Sequence, residues 1–147
     1  MSKTHVHQKA FTLLEMLIVL AVMGILLAIA GFNTIQWQKS EQLNAAMRDV
    51  STTLSEARAL ARRTSRNAVF KVVNSSQYNL TSGTLSRTRN LPNGVNFINA
   101  ANYEVAFQAP YGTLSATNKS FELKFIGESW LAQVNVVGVT GKVVSVR

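Results

Sequence analysis

Cysteine is absent from this chain of 147 residues. The chain can therefore form no disulfide bond, no thiolate nucleophile and no thiolate metal site. The absence does not identify a compartment, because oxidising compartments permit disulfides without requiring them. The sequence contains no internal repeat, and its length suits a single domain.

Acidic residues are also scarce. Seven Asp and Glu stand against fifteen Lys and Arg, which leaves a formal net charge of +8. Such an excess favours nucleic acid, anionic lipid or another acidic surface as a partner, although many basic domains bind none of these. The net charge alone is therefore only a hypothesis about an acidic partner, and it needs support from particular residues.

Polar residues are nearly missing from an apolar run at residues 11–30, in which Thr12 and Glu15 are the only polar side chains. A transmembrane helix requires about twenty such residues. Lys3 and Lys9 precede the run, and by the positive-inside rule they favour a cytoplasmic N-terminus and export of everything after the span. We therefore predict a single-pass membrane protein.

An ordinary secretory signal is the competing interpretation of this run. Its cleavage site would follow small residues after the apolar segment, and Ala28-Ile29-Ala30 permits that. Glu15 argues against it. A carboxylate costs about 2.5–3.5 kcal/mol at the centre of a membrane helix, less near the interface, and tends to persist only with a role or a partner. In the alternative interpretation Glu15 has no function, and its side chain simply extends to the lipid headgroups.

Residues 9–15, with the sequence KAFTLLE, resemble the class III signal of type IV pilins and type II secretion pseudopilins. The resemblance implies that prepilin peptidase removes residues 1–10 by cleaving between Ala10 and Phe11, and that Phe11 is N-methylated. It also implies that Glu15 becomes the fifth residue of the mature chain and acts in assembly. Ala10 departs from the pattern, because the family usually has Gly there.

Glu15 has a physical reason to act in assembly. Cleavage leaves a new amine on Phe11 at the membrane edge, and Glu15 of the same or a neighbouring subunit can neutralise it where both groups are poorly solvated. Many pilins also carry Pro further along this helix, where residues 30–33 contain Gly31 instead. Glycine loosens a helix by about 1 kcal/mol relative to Ala, against about 3 for Pro. We place the transmembrane part at residues 11–32.

A helical period continues through residues 33–66. Its apolar positions recur at spacings of three and four, namely Leu43, Met47, Val50, Leu54, Ala57 and Ala61. This is a narrow stripe of the coiled-coil type, and we predict that it packs on the protein's own sheet. A helix continuous from Phe11 to about Arg66 would be about 80 Å long.

Arginines end this helix, with Arg58, Arg62 and Arg66 on one face and Arg63 beside them. Like charges at this spacing repel by a few tenths of a kcal/mol per pair, and no acidic residue four positions away offsets them. Two explanations stay open. The cations complement the dipole at the helix C-terminus, or they form a docking surface for phosphates or an acidic partner.

Residues 67–147 contain strand and turn patterns and form the predicted head. Roughly seven short strands are expected, among them residues 68–73, 76–80, 103–107, 121–126, 130–137 and 142–146. We predict an α+β protein in which a long N-terminal helix, first transmembrane and then amphipathic, packs on a C-terminal antiparallel β head. This is a pilin-like arrangement.

The helix end and the head resemble the FimT/GspH family of minor pilins and pseudopilins. The resemblance rests on SEARALARRTSRNAV at the helix end, Leu-Pro-x-Gly-Val at residues 91–95, Phe-x-x-x-x-Gly at residues 107–112 and a basic hairpin tip at residues 140–142. Members that take up DNA use a Gly-Arg-x-Arg element, which residues 141–144 match only in part. Lys142 supplies one cation without the planar fork of arginine, and Arg147 is the candidate for the second.

Two functions stay open after this comparison. One is a minor pilin that also binds extracellular DNA during uptake, with a candidate surface made of Lys142, Arg147, Arg87, Arg89, Arg58, Arg62 and Arg66. Arg87 and Arg89 would add charge to one face of an extended segment, or they are simply solvated. The alternative is a type II secretion pseudopilin with a structural or initiating role and no DNA binding.

The implied partners are prepilin peptidase, other pilins or pseudopilins contacted through the N-terminal helix, the inner-membrane assembly platform and double-stranded DNA. The implied location is the inner (cytoplasmic) membrane, with the N-terminus in the cytoplasm, and then an extracytoplasmic filament. A membrane-tethered basic domain that never polymerises is a third hypothesis, against which Glu15 and its context argue.

Histidine occurs only as His5 and His7, within the predicted leader. Their removal would leave the mature chain without the commonest acid–base group and metal ligand. The sequence also contains no Gly-rich phosphate loop and no spacing typical of paired catalytic carboxylates or metal ligands. We therefore expect no enzyme activity, no metal and no cofactor.

Overall fold

The computed structural model describes residues 12–99, 103–115 and 118–146, with the backbone alone for residues 30–33. Within these residues one helix, α1 (Leu13–Thr64), is followed by nine strands. The chain divides into two units between Trp37 and Gln38. The first unit contains a segment of helix, and the second contains the buried core.

The first unit contains α1 up to Trp37. Its side chains from Leu13 to Ile29 are exposed although most of them are apolar, with Leu13 at 85% and Leu27 at 72% exposure. Apolar surface on this scale is transferred favourably out of water. The helix is also long and apolar enough to cross a membrane.

The second unit contains α1 from Gln38 onward, together with all the described strands. The helix positions that face the sheets are fully buried, and they are Leu43, Ala46, Val50, Leu54, Ala57 and Ala61. They follow the predicted stripe except that Ala46 takes the place of Met47, which is half-buried. The alanines near the helix end leave room for larger side chains from the sheets.

The strands form two antiparallel sheets. In chain order they are β1 (Ala68–Asn74), β2 (Gln77–Ser82), β3 (Leu85–Asn90), β4 (Val95–Phe97), β5 (Glu104–Gln108), β6 (Thr113–Leu114), β7 (Lys119–Phe125), β8 (Leu131–Val137) and β9 (Lys142–Val146). The first sheet has the order β3-β2-β1-β5-β6, and the second has the order β4-β7-β8-β9. The edge strands β3 and β9 therefore belong to different sheets.

Side chains that alternate along the strands form the core with the helix stripe. Tyr78 and Leu80 of β2 are buried in this way, as are Phe121 and Leu123 of β7. The ring centroid of Phe70 lies 4.9 Å from that of Phe121 in an edge-to-face contact, which joins the two sheets. Burying each such side chain stabilises the fold by about 1.5–3 kcal/mol.

The predicted fold class is confirmed, because a long N-terminal helix packs on antiparallel sheets in an α+β arrangement. The prediction of roughly seven strands is wrong, since the described residues contain nine. β3 has the sequence LSRTRN, without an alternating apolar pattern, and it pairs through its backbone with β2 at the sheet edge. The strands β4 and β6 are too short to produce a recognisable period.

The helix ends slightly before the predicted position near Arg66. Its last residue is Thr64, whose hydroxyl donates a hydrogen bond to the Leu60 carbonyl at 2.8 Å. Ser65 then has a φ of 51°, the left-handed conformation that commonly ends helices. The domain boundaries at residues 1–10, 11–32, 33–66 and 67–147 stay predictions.

Candidate functional site

Thr12 is the N-cap of α1 and the second residue after the predicted cleavage site. Its Oγ1 accepts a hydrogen bond from the backbone N–H of Glu15 at 3.2 Å. A capping threonine satisfies one of the free N–H groups at a helix start. Ala10 and Phe11, the residues predicted to flank the cleavage, lie outside the described part of the chain.

Glu15 lies in the first turn of α1, and its side chain is exposed. A carboxylate is favoured there by the helix dipole. The backbone is helical through Gly31, so the segment without proline continues α1. The position of Glu15 at the exposed start of an apolar helix is compatible with pairing to another subunit, and its role in assembly stays a prediction.

Arg87 and Arg89 of β3 bind carboxylates of α1. Arg87 Nη1 lies 2.9 Å from Glu56 Oε1. Arg89 Nη1 lies 3.0 Å from Asp49 Oδ1, and its Nη2 lies 3.7 Å from Glu56 Oε2. Tyr78 completes the group, because its hydroxyl donates to Asp49 Oδ2. We call these five residues the helix–β3 network.

The helix–β3 network changes the pKa of two of its members. Burial raises the pKa of Tyr78 to about 12, and the hydrogen bond to Asp49 adds to the increase. For Arg89, desolvation lowers the pKa, but the charges of Asp49, Tyr78 and Glu56 and the hydrogen bond to Asp49 together outweigh that effect, and the net pKa is raised. Tyr78 therefore stays protonated and Arg89 stays charged at neutral pH.

A second cluster of cations lies where the end of α1 meets two turns of the head. One cleft of about 310 Å³ is lined by Ser55, Arg58, Ala59, Arg62, Lys142 and Val143. A cleft of about 490 Å³ is lined by Ala59, Arg62, Arg63, Pro110 and Tyr111. Ala59 and Arg62 belong to both linings, and we call the two clefts together the basic groove.

Two glycines hold the turns of the basic groove close to one another and to the helix. Gly112 has a φ of +66°, and a Cβ added there would lie 3.0 Å from the Arg58 carbonyl oxygen and 3.0 Å from Arg62 Cγ. Gly141 has a φ of +64°, and its added Cβ would lie 2.9 Å from the Phe107 ring. Only a residue without a side chain permits this conformation and this approach together.

The cations of the basic groove are not neutralised. The ion pairs among the described residues involve only Lys39, Arg87 and Arg89. No described carboxylate oxygen lies within 4.0 Å of the cationic groups of the groove, which are Arg58, Arg62, Arg63 and Lys142. The Nε of Arg58 is buried and has no hydrogen-bond partner among the described residues. An anion entering the groove would meet several unpaired cations at once.

The predicted DNA-binding residues thus separate into groups. Arg58 and Arg62 lie with Lys142, although the sequence places them far apart. Arg66 lies over the turn between β2 and β3, where a Cβ added to Gly83 would be 2.8 Å from its Nη1. Arg87 and Arg89 lie in the helix–β3 network. Arg147 falls outside the described residues.

The basic groove also contains Arg63 and Tyr111, which were not among the predicted site residues. Arg63 belongs to the arginine run but does not lie on the helix face shared by Arg58, Arg62 and Arg66. Tyr111 lies within the Phe-x-x-x-x-Gly element at residues 107–112. No feature of its local sequence indicates that it contacts a helix end.

Comparison with models of known protein families gives a match at the N-terminal end of the chain. Residues 6–31 match the family model described as "Prokaryotic N-terminal methylation motif". This supports a type IV pilin-like protein. A search of curated proteins finds no match, and neither does a search of solved structures.

The motif implies processing by prepilin peptidase and assembly with other pilins. The motif and the apolar helix together support anchoring in a membrane and a place in a pilus or pseudopilus. Proteins of the type IV pilin class are structural rather than enzymatic. Within the described residues, no group of three or more His, Cys, Asp or Glu is arranged to hold a metal ion.

Proposed function

We propose that this chain is a minor pilin of the FimT/GspH type, a subunit of a type IV pilus. Prepilin peptidase removes residues 1–10, Phe11 becomes N-methylated, and residues 11–32 hold the protein in the inner membrane with its N-terminus in the cytoplasm. Glu15 then pairs with an N-terminal amine as the assembly platform moves the subunit into the filament. The methylation motif and the exposed apolar helix support this order of events.

We further propose that the basic groove binds the phosphates of double-stranded DNA during uptake. The observation that carries this proposal is the convergence of Arg58, Arg62 and Lys142 at one cleft, with no carboxylate oxygen of the described residues within 4.0 Å of their nitrogens. Unpaired cations bind phosphates by releasing the counterions of DNA. The arginines of the helix–β3 network would have to break their ion pairs with Glu56 and Asp49 before binding phosphate. The basic groove is therefore better suited to bind DNA.

Each cation has a distinct role in this proposal. The guanidinium groups of Arg58 and Arg62 present planar forks that match phosphate oxygens, whereas Lys142 acts as a point charge. Arg66 and Arg147 are proposed to extend the surface along the duplex. Arg87 and Arg89 do not contact DNA in this proposal, because they already form ion pairs with Glu56 and Asp49.

The test is a titration of the full chain, in detergent micelles, with duplex DNA at several salt concentrations. We expect affinity to fall steeply with salt, and Arg62→Ala or Lys142→Ala to reduce the slope of log K against log salt by about 0.9 for each lost phosphate contact. Arg87→Ala is the matched control, since it removes the same charge outside the groove and should leave the slope unchanged.

Two results would count against DNA binding at the basic groove. One is the absence of binding by the unmodified chain at low salt. The other is an equal effect of Arg62→Ala and Arg87→Ala, which would indicate a response to net charge rather than to a site. Normal filament incorporation of the same variants would separate DNA binding from assembly.

A type II secretion pseudopilin with no DNA binding is the second candidate. The specific observation in its favour is that Arg62 and Arg63 occupy the last turn of α1, where cations complement the helix dipole. On this alternative their role is to stabilise the helix end. Arg62→Ala would then lower the unfolding free energy by about 0.3–1 kcal/mol and leave no DNA binding to lose.

A further inference from the structure

Tyr111 is an exposed aromatic residue at the rim of the basic groove. It is 76% exposed, and within the described part of the chain its ring and hydroxyl make no aromatic contact or hydrogen bond. The other two tyrosines differ. Tyr78 is buried and hydrogen-bonded, and the Tyr103 hydroxyl accepts a hydrogen bond from the Ser120 N–H at 3.3 Å. Tyr111 therefore plays no part in the core.

The loop that carries Tyr111 is held firmly against the rest of the head. The Ala109 N–H donates to Asn67 Oδ1 at 3.0 Å, and the Gly112 N–H donates to the Gln108 carbonyl at 2.7 Å. Gly112 packs directly on the end of the helix. An aromatic ring presented on a fixed loop loses little conformational freedom when it binds a partner.

The ring also lies beside unpaired positive charge. Tyr111 and Pro110 line the cleft of about 490 Å³ opposite Arg62 and Arg63, which have no carboxylate partner among the described residues. The cleft falls within the size range of about 300–1,000 Å³ typical of small-ligand sites. An aromatic face next to cations is the combination that binds single-stranded nucleic acid, with bases on the ring and phosphates on the cations.

We propose that Tyr111 stacks against an unpaired base of single-stranded DNA whose phosphates contact Arg62 and Arg63. This inference rests on the proposed binding of DNA phosphates by the basic groove, and it adds a contact to the base. A base within a duplex is already stacked and paired, so it would have to leave the helix before it reached the ring. Tyr111 therefore acts on single strands and frayed ends, and not on intact duplex.

The experiment measures binding of the full chain in detergent micelles to three probes of equal length. They are an oligothymidine, an abasic strand with the same phosphates and no bases, and a duplex. We expect Tyr111→Ala to weaken oligothymidine binding about tenfold, because stacking on an aromatic side chain contributes a factor of roughly 5 to 150 per base. Binding of the abasic strand and of the duplex should stay unchanged. Tyr111→Phe keeps the ring and should bind all three probes as the unmodified chain does.

Different failures have different meanings in this design. If the unmodified chain binds none of the probes, the proposed binding of DNA and the role of Tyr111 both fail. If it binds all three and Tyr111→Ala leaves oligothymidine binding intact, or weakens every probe equally, only the stacking role is overturned. Arg62→Ala should weaken all three probes, and circular dichroism of each variant checks that the head remains folded.

Discussion

Arg89 on the edge strand β3 pairs with Asp49 on α1, with 3.0 Å between Nη1 and Oδ1. The same guanidinium approaches Glu56, and the buried hydroxyl of Tyr78 donates to the other oxygen of Asp49. An isolated surface ion pair contributes about 0–1 kcal/mol, and a connected network of such pairs contributes more. This pair therefore fastens an otherwise polar edge strand to the helix.

Asp49→Ala should destabilise the head by about 1–3 kcal/mol. The substitution removes the carboxylate acceptor of the buried Tyr78 hydroxyl and leaves Arg89 with Glu56 alone. Urea denaturation of the full chain in detergent, followed by tryptophan fluorescence, measures the unfolding free energy. Glu104→Ala is the control, because it removes an exposed carboxylate from β5. Equal stability of the two variants would contradict a structural role for the network.

Stability should fall at high pH through Tyr78. Its pKa is 10.0 in the reference state and is raised to about 12 in the folded protein. The unfolded chain loses this proton first, so the associated stability is complete below pH 10 and is lost as the pH rises toward 12. The expected loss is roughly 1–3 kcal/mol.

Denaturation curves recorded across that pH window test the role of Tyr78. Tyr78→Phe serves as the reference, because it removes only the phenolic hydroxyl. The variant should lose stability less steeply with pH than the unmodified chain, because it retains every other ionisable group and lacks the phenol. Identical pH profiles would show that Tyr78 does not cause the decline.

Glu15 and Thr12 should have separable effects on assembly. Glu15→Gln removes the charge but keeps the backbone N–H that donates to Thr12 Oγ1, so we expect loss of filament incorporation with an intact helix cap. Thr12→Ala keeps the charge and weakens the helix start by about 1 kcal/mol, so incorporation should persist. Cross-linking of filaments measures incorporation, and gel mobility confirms that both variants are processed. Normal incorporation of Glu15→Gln would refute charge pairing.

Gly112→Ala should destabilise the head more than Gly127→Ala. Both glycines have positive φ, at +66° and +83°, so alanine costs about 1–2 kcal/mol of backbone strain at either position. An added Cβ at Gly112 also meets the Arg58 carbonyl oxygen at 3.0 Å, whereas nothing lies within 4 Å at Gly127. The difference in unfolding free energy between the two variants should be about 1 kcal/mol or more. Equal losses would show that the loop moves freely away from the helix.

Local patterns predicted much of the fold correctly. The spacing of Leu43, Val50 and Leu54 indicated which helix face is buried, because a helix repeats every 3.6 residues whatever it packs against. The β-branched and aromatic residues of β1 and the alternation in β5 indicated those two strands from local sequence alone. β3 was missed because its side chains carry no apolar period and its place depends on pairing with β2.

The candidate site was only partly predictable. The arginine run and Lys142 were recognised as cations, but no pattern in the sequence distinguishes Arg62, which lines an unneutralised groove, from Arg87, which pairs with Glu56. Charge pairing depends on distances between chain segments, and those distances exist only after the sheets have packed. Tyr111 was missed for the same reason.

Features that depend on near neighbours along the chain follow from the amino-acid sequence alone. These are the apolar helix, the methylation motif with Glu15, the buried stripe and the excess of positive charge. The pairing of some cations with acids, and the convergence of others with Tyr111 at the basic groove, depend on how the chain folds. The physical reason is that periodicity acts over a few residues, whereas electrostatic contacts join residues that the fold brings within a few ångströms of each other.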